Sequence, residues 1–505
     1  MRDQTSWKTE NFLSVSRRFL FEGQCLQKMT MVPPKTVKAE KEWKHVHQPG
    51  LGKTMEDDYS EAPSQQLPMD IIYKILAHIS DPASLARLAS SCKFWHDLIK
   101  DPTFLDRLRR RHGDHGFTPS LLLGFFYQDN RRSSPDLWQY HIDKTRCLAP
   151  SFVRMSELTQ FVGSKAARNA RKLLSLETFI PGLGTSLNFY KPVASQDSFL
   201  ALRRKSKDTD GQTIKDLICV CNALTGEVFE IPSLRVNRRT DHYALFVTND
   251  VDLSGRASQS FQLISIWVIK AKKFVSLCYS SKTGTWTACE GVPELMHGLY
   301  LVSNSAASSD GVVRWLCGSW RQMTLTHIAT LNVGNMELSY LELPPEGKRN
   351  NAPLLGSSAD GGLLLLFAQG LQMSLWKHSS AVGSDSSGWV LSERIDMRSS
   401  LPPRVGIRAK VRPEMFRGKS GTVVLWVDEE GLFLFSLSDR SLRKIDSEYV
   451  TKKYFLCPYE IDWLSCLAIT NLTVDGSLSL DVKRERAQGR WRALMGTNLA
   501  ANTAY

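Results

Sequence analysis

Residues 67–112 read LPMDIIYKILAHISDPASLARLASSCKFWHDLIKDPTFLDRLRRRH, and the interpretation of the chain begins from this stretch. Prolines 68, 82 and 102 predict helix starts, because proline suits the first turn of a helix. Apolar residues recur between them at helical spacing, as in the stripe Ile71, Ile72, Ile75, Leu76 and Ile79. The pattern predicts four short helices. Helices this short leave much of their apolar surface uncovered, so we expect a partner protein to cover the remainder.

The same residues resemble the F-box family. The shared features are an opening Leu-Pro, an Ile-Ile-x-x-Ile-Leu helix, an Asp-Pro-x-Ser-Leu turn and a Cys-Lys-x-Trp segment that ends at Trp95. The resemblance implies docking onto a Skp-type adaptor and, through it, onto a cullin in an SCF-type ubiquitin ligase. Carried over by position, the adaptor-facing residues would be Leu67, Pro68, Ile72, Ile75, Leu76, Leu85, Leu88, Cys92 and Trp95. Without the resemblance, the alternative is an ordinary helical core with these side chains turned inward.

Length and composition indicate a multidomain protein with reduced cysteines. A chain of 505 residues suggests two or three domains. The longest apolar run, residues 363–368, is far shorter than the roughly 20 residues that a membrane helix needs, so we expect no membrane partner. Ten cysteines occur without a Cys-x-x-Cys pair, which favours free thiols and a location in the cytoplasm or the nucleus.

The net charge of +13 raises the possibility of a nucleic-acid partner. The excess is spread along the chain, and its densest run, residues 107–111, falls in the last turns of the fourth predicted helix. Basic residues there complement the helix dipole. A solvated helix end is therefore the better interpretation, and nucleic acid is disfavoured as a partner.

After residue 172 the sequence predicts antiparallel β-structure. Strand-turn-strand units occur at 217–232, 274–286, 328–344 and 432–445, with room for another at 371–390. A period near 50 with about four strands per unit is typical of a kelch-like β-propeller. We therefore predict an α+β multidomain chain, in which a small helical F-box precedes an all-β propeller of six or seven blades. The kelch double glycine is found only at residues 361–362.

The predicted domains are a disordered tail (1–62), the F-box (63–112), a connecting segment (113–171), the propeller (172–490) and a C-terminal tail (491–505). The β-rich part also resembles grass-type plant F-box proteins. The closest points are the hairpin Cys221–Ile231, the segment 459–463, and a Leu-Gly-Phe-Phe segment that ends at Phe126.

The sequence contains no motif that predicts catalysis. Gly-x-Ser-x-Gly, His-Glu-x-x-His and a glycine-rich nucleotide fingerprint are all missing from it. We predict no catalytic residue, no metal and no cofactor. The predicted function is the substrate-recognition subunit of an SCF-type ligase, with an unidentified protein substrate bound on the propeller. Two alternatives remain open: a scaffold or nucleic-acid-associated propeller, and a propeller enzyme that uses the central channel.

Overall fold

In the computed structural model the chain divides into two units, Met1–Gln66 and Leu67–Tyr505, and all described residues belong to the second. The structure describes residues 68–79, 82–89, 93–101, 103–105, 107–108, 120–129, 149–154, 159–160, 174–180, 187–207, 214–235, 242–251, 257–269, 273–289, 298–302, 306–319, 321–322, 324–349, 353–358, 361–379, 388–402, 405, 409–428, 430–445, 454–462 and 490. Both predicted tails, 1–62 and 491–505, lie outside these residues.

The described part of the chain opens with helices α1 (Met69–Ala77), α2 (Pro82–Ala89) and α3 (Lys93–Lys100). Residues 103–105 and 107–108 are also helical. Asp101 begins this last helix as expected, because its Oδ1 accepts hydrogen bonds from the Thr103 backbone N–H and hydroxyl, both at 2.7 Å. The helix starts predicted from Pro68 and Pro82 are confirmed, and Pro102 lies outside the described residues.

Six antiparallel sheets form the six blades of a β-propeller, with strands numbered along the chain. Blade 1 contains β26 (Tyr454–Asp462), β1 (Ser120–Asp129), β2 (Ser151–Arg154) and β4 (Leu174–Ser175). Blade 2 contains β5 (Lys191–Gln196), β6 (Phe199–Lys207), β7 (Ile214–Asn222) and β8 (Val228–Arg235), and blade 3 contains β9 (His242–Val251), β10 (Ala257–Ile269), β11 (Lys273–Ser280) and β12 (Thr285–Cys289).

Blade 4 contains β13 (Leu299–Leu301), β14 (Ala307–Ser309), β15 (Val312–Ser319), β16 (Thr324–Asn332) and β17 (Leu338–Glu342). The short helix α4 (Pro345–Arg349) follows it. Blade 5 contains β18 (Leu354–Ser357), β19 (Leu363–Gln369), β20 (Gln372–His378) and β21 (Trp389–Asp396), and blade 6 contains β22 (Val411–Arg417), β23 (Thr422–Val427), β24 (Gly431–Ser436), β25 (Leu442–Lys444) and β3 (Thr159–Gln160). The predicted fold is confirmed, with six blades, and each predicted hairpin forms the third and fourth strands of a blade.

The ring is closed by pairing distant parts of the chain. In blade 1 the innermost strand β26 pairs with β1, so that Pro458 lies opposite Phe125. In blade 6 the early strand β3 pairs with β25. Residues 113–171 are therefore not only a connecting segment, as we predicted, because β1, β2 and β3 belong to blades. Closing the ring in this way covers strand edges that would otherwise be exposed.

Two of the outer hairpins use the same turn chemistry. The Asn222 side-chain Oδ1 accepts from the backbone N–H groups of Leu224 and Thr225 at 3.0 and 3.2 Å. Asn332 Oδ1 accepts from Gly334 and Asn335 at 2.9 and 3.4 Å. Asparagine favours turns because its side chain satisfies nearby backbone donors in this way.

Tryptophans tie neighbouring blades together at their outer strands. Trp286 Nε1 of blade 3 donates to the Pro232 carbonyl of blade 2 at 2.9 Å. Trp389 Nε1 of blade 5 donates to the Glu342 carbonyl of blade 4 at 2.8 Å. Trp315 is instead fully buried in blade 4. For these three residues, packing within and between blades is the observed role.

Candidate functional site

The apolar side chains of the helices enter a hydrophobic cluster that they share with blades 1 and 2. From the helices the cluster takes in Leu76, Leu85, Leu98, Ile99, Phe104 and Leu108. From the blades it takes in Phe126, Phe152, Leu200, Cys221 and Tyr459, with Phe179 from the turn before blade 2. The helices and the propeller therefore have one continuous core, so the helical region packs directly onto its own chain.

This shared core corrects part of the predicted adaptor surface. Leu76 is only 3% exposed and Leu85 is 0% exposed, and both lie inside the cluster. Leu88 is half-buried and packs against the same cluster. The prediction that a partner protein covers these residues is wrong for Leu76 and Leu85, because both are buried within the cluster that the helices share with the propeller. The helical pattern could not reveal this, because it does not say which surface a buried stripe meets.

A different set of apolar side chains remains accessible on α1 and α3. Met69, Ile71 and Phe94 are 44%, 41% and 50% exposed. Pro68, just before α1, is also exposed. Among the described residues one other large apolar side chain, Val390 on blade 5, is similarly exposed. We therefore take the exposed side chains of α1 and α3 as the candidate binding surface. We call Pro68, Met69, Ile71 and Phe94 the exposed helical set.

Ile72, Ile75 and Trp95 are half-buried, as Leu88 is, and Ile72 and Trp95 pack against the shared cluster as Leu88 does. The Trp95 ring meets the Phe94 ring edge-on, with centroids 5.1 Å apart. Two further predicted residues, Leu67 and Cys92, lie outside the described residues. Sequence reasoning did not single out Met69, Ile71 and Phe94 as exposed apolar residues. The sequence did contain one sign of this exposure. The apolar stripe on α1 is too broad for all of its residues to be buried against one surface.

A polar network fixes α1 against the helix that follows α3. The Tyr73 hydroxyl donates to Asp101 Oδ2 at 2.7 Å, and the Arg107 guanidinium lies 5.3 Å from the Tyr73 ring centroid. Hydrogen bonds from Thr103 and Tyr73 lower the pKa of Asp101. The same bond to Asp101 raises the pKa of Tyr73, followed by the effect of burial. The network keeps the orientation of α1, and so of Ile71, defined.

A second candidate region is a cavity of about 530 Å³, including its open mouth, on the axis of the propeller. It is lined by the innermost strands of five described blades: β26, β5, β14, β18 and β22. We call it the channel mouth, and its polar lining residues are Ser195, Gln196, Asp197, Ser308, Ser357, Arg417, Lys419 and Glu460. Burial raises the pKa of Asp197 to about 6, while nearby Lys419 acts in the opposite direction.

No group of three or more His, Cys, Asp or Glu side chains that could hold a metal ion is found among the described residues. Within the same residues no helix has the length and apolarity needed to cross a membrane.

Comparison with known proteins matches both parts of the chain to family models. A model described as a domain of unknown function (DUF7595) matches residues 151–471, well over half of the chain. The chain belongs to the DUF7595 family. A second model, described as F-box-like, matches residues 64–111 of this DUF7595 protein and so includes α1, α2 and α3. The DUF7595 protein is therefore an F-box protein. No curated protein matches it.

Several solved structures are similar to the DUF7595 protein at low identity. A puromycin-hydrolysing peptidase of Mycobacterium tuberculosis is 10% identical over 51% of this chain and 38% of that chain, with a TM-score of 0.31. A protein from Lactobacillus plantarum is 11% identical over 65% of this chain and 82% of that chain, with a TM-score of 0.34. The complex of KlAtg21 with the AgAtg16 coiled coil gives 10% identity, 49% and 67% coverage, and a TM-score of 0.29. The chain spans well under half of the peptidase, and similarity at these TM-scores carries no functional information.

Proposed function

We propose that this F-box protein is the substrate-recognition subunit of an SCF-type ubiquitin ligase. Its helices dock onto a Skp-type adaptor, which links the chain to a cullin. Its six-bladed propeller holds the target protein. The F-box-like match supports the adaptor, because F-box domains generally bind Skp-type proteins.

The observation that carries this proposal is the exposed helical set. Met69, Ile71 and Phe94 are three of the four large apolar side chains that are exposed among the described residues. An aromatic side chain in the centre of an interface commonly contributes a large share of binding energy. We therefore place Phe94 and Ile71 at the adaptor contact, with Pro68, Ile72, Ile75 and Trp95 around them. Leu67 and Cys92 remain proposed contacts by position in the family pattern.

The proposed mechanism is proximity. The chain itself performs no bond chemistry; it holds a substrate lysine near a ubiquitin-charged enzyme, so that an intermolecular encounter becomes effectively intramolecular. The shared core supports this mechanism, because it packs the adaptor-binding helices against blades 1 and 2. A rigid connection narrows the range of positions that a bound target can occupy.

We also propose that the protein acts in the cytoplasm or the nucleus of a plant cell. The resemblance to grass-type F-box proteins and the free, buried thiols of Cys219, Cys221 and Cys278 support this setting.

Affinity purification of the full chain followed by mass spectrometry tests the proposal. The test variant is Ile71→Asp/Phe94→Asp, which places charges in the exposed helical set. The control is Val390→Asp, which makes the same kind of change at the exposed apolar residue on blade 5. We expect wild type and control to retain a Skp-type adaptor and a cullin. The double variant should lose both and keep its propeller-bound partners. Retention of the adaptor by the double variant would contradict the proposed contact.

A further inference from the structure

The channel mouth contains hydrogen-bond donors that no described acceptor satisfies. Two of its acceptors are bonded within the chain: Glu460 Oε1 accepts from the Ser420 backbone N–H at 3.0 Å, and Gln196 Oε1 accepts from the Ser308 hydroxyl at 2.7 Å. Asp197 accepts a hydrogen bond from the Asp462 backbone. The Ser195 hydroxyl donates to the Pro458 carbonyl.

Two other donors of the channel mouth lack partners. Ser357 is only 6% exposed, yet its buried hydroxyl has no hydrogen-bond partner in the described part of the chain. The buried Arg417 Nε is likewise unsatisfied there. Leaving buried polar groups unpaired costs about 1–3 kcal/mol each, and such groups therefore call for an explanation. The next residue but one, Lys419, lines the same cavity and forms no salt bridge with any described residue.

We propose that the channel mouth is a binding site for a single carboxylate. The carboxylate oxygens would accept from Ser357 Oγ and Arg417 Nε, while the Lys419 ammonium supplies a nearby positive charge. Arginine and a carboxylate form the stronger, charge-assisted kind of hydrogen bond. The close approach of the chain supports a built site, because a side chain at Gly418 would lie 2.5 Å from the Ser357 carbonyl oxygen. Glycine thus brings the Arg417–Lys419 segment against β18.

The charges of the cavity favour a carboxylate over a phosphate. Two cations, Arg417 and Lys419, are balanced by two acids, Asp197 and Glu460, so a doubly charged phosphate would meet stronger repulsion. The cavity has an open mouth, so the molecule that carries the carboxylate can extend out of it. The carboxylate can therefore belong to an acidic side chain of a bound peptide or to a small free acid. Only the assignment of that peptide to a ligase substrate rests on the proposed function.

Calorimetric titration of the purified full chain tests the site. The probes are acetate and three pentapeptides, Gly-Gly-X-Gly-Gly with blocked ends, in which X is glutamate, glutamine or phosphoserine. The binding variants are Arg417→Gln/Lys419→Gln and, as a smaller change that should fold normally, Ser357→Ala. The control is Lys410→Gln/Arg412→Gln, which removes two exposed cations near the other end of β22, about 20 Å away.

We expect the glutamate peptide to bind at least tenfold more tightly than the glutamine peptide. Ser357→Ala should weaken it severalfold, the Arg417/Lys419 variant should abolish it, and the control should bind like wild type. If acetate binds as tightly as the glutamate peptide and is weakened by the same variants, the site is supported and its ligand is a small free acid. Equal binding of the glutamate and glutamine peptides, an equal loss in the control, or tighter binding of the phosphoserine peptide would overturn the proposal. Adaptor binding should be unchanged in every variant, which separates this test from that of the proposed function.

Discussion

Replacing Phe126 by alanine should loosen the F-box helices as well as blade 1. Phe126 is fully buried on β1, and its ring centroid lies 4.6 Å from that of Phe152, 5.2 Å from Tyr459 and 6.1 Å from Phe179. Removing a buried phenylalanine side chain typically costs about 3–5 kcal/mol. The same hydrophobic cluster contains Leu85 and Phe104, so the destabilisation should reach the helices. A loss of about 3 kcal/mol in local opening free energy corresponds to about a hundredfold faster amide exchange.

Hydrogen exchange followed by mass spectrometry can measure this effect by region. We expect faster exchange in β1, α2 and α3 of the Phe126→Ala variant, with blade 4 close to wild type. The matched control is Phe367→Ala, since Phe367 is equally aromatic and buried but belongs to a cluster of blades 4 and 5. The control should leave the helices unchanged. Helices that exchange at the wild-type rate in Phe126→Ala would refute a shared core.

Three further predictions concern the propeller. Burial raises the pKa of Asp197 to about 6 from 3.8, so the folded state binds the proton more tightly and stability falls as the pH rises from about 4 to 6. Asp197→Asn should remove this pH dependence. In urea denaturation, the variant's free energy of unfolding should be up to about 3 kcal/mol higher than that of wild type at pH 7.5 and unchanged near pH 4. In the same assay, Asn222→Ala should lower the free energy of unfolding by about 2 kcal/mol and Asn332→Ala by less than about 1 kcal/mol. The reason is that only Asn222 is buried and also donates to Ser198 Oγ, at 2.9 Å. Equal losses in the two variants would contradict this difference in burial. Trp389→Phe should cost about 1 kcal/mol through loss of the bond to the Glu342 carbonyl, measured as a lower melting temperature.

The blades were predictable because their hairpins carry local signals. Alternating apolar residues and turns such as those at Asn222 and Asn332 depend on residues that are close in sequence. The closure of the ring was not predictable in this way. The pairing of β26 with β1 joins strands more than 300 residues apart, and a short strand such as β3 has too few residues for a periodic pattern.

The helices of the candidate site were predicted, but the partners of their side chains were not. Periodicity identified Leu76 and Leu85 as apolar positions on two successive helices, but the surface that buries them depended on long-range packing. Phe94 is the reverse case, an apolar residue that is exposed. Nothing in the sequence around Phe94 and Trp95 indicates which of the two aromatic side chains is exposed. The channel mouth was also missed, because its residues come from five blades and converge only after the ring closes.

The affinity of the purified full chain for a Skp-type adaptor is the most direct measure of the proposed docking surface. Phe94→Ala should weaken binding at least about thirtyfold, which corresponds to the roughly 2 kcal/mol expected for an aromatic residue at the centre of an interface. Val390→Ala, at the exposed position on blade 5, should leave the affinity at the wild-type value. An adaptor that binds wild type and Phe94→Ala equally well, or that binds neither wild type nor any variant, would contradict the assignment of α1 and α3 as its docking site.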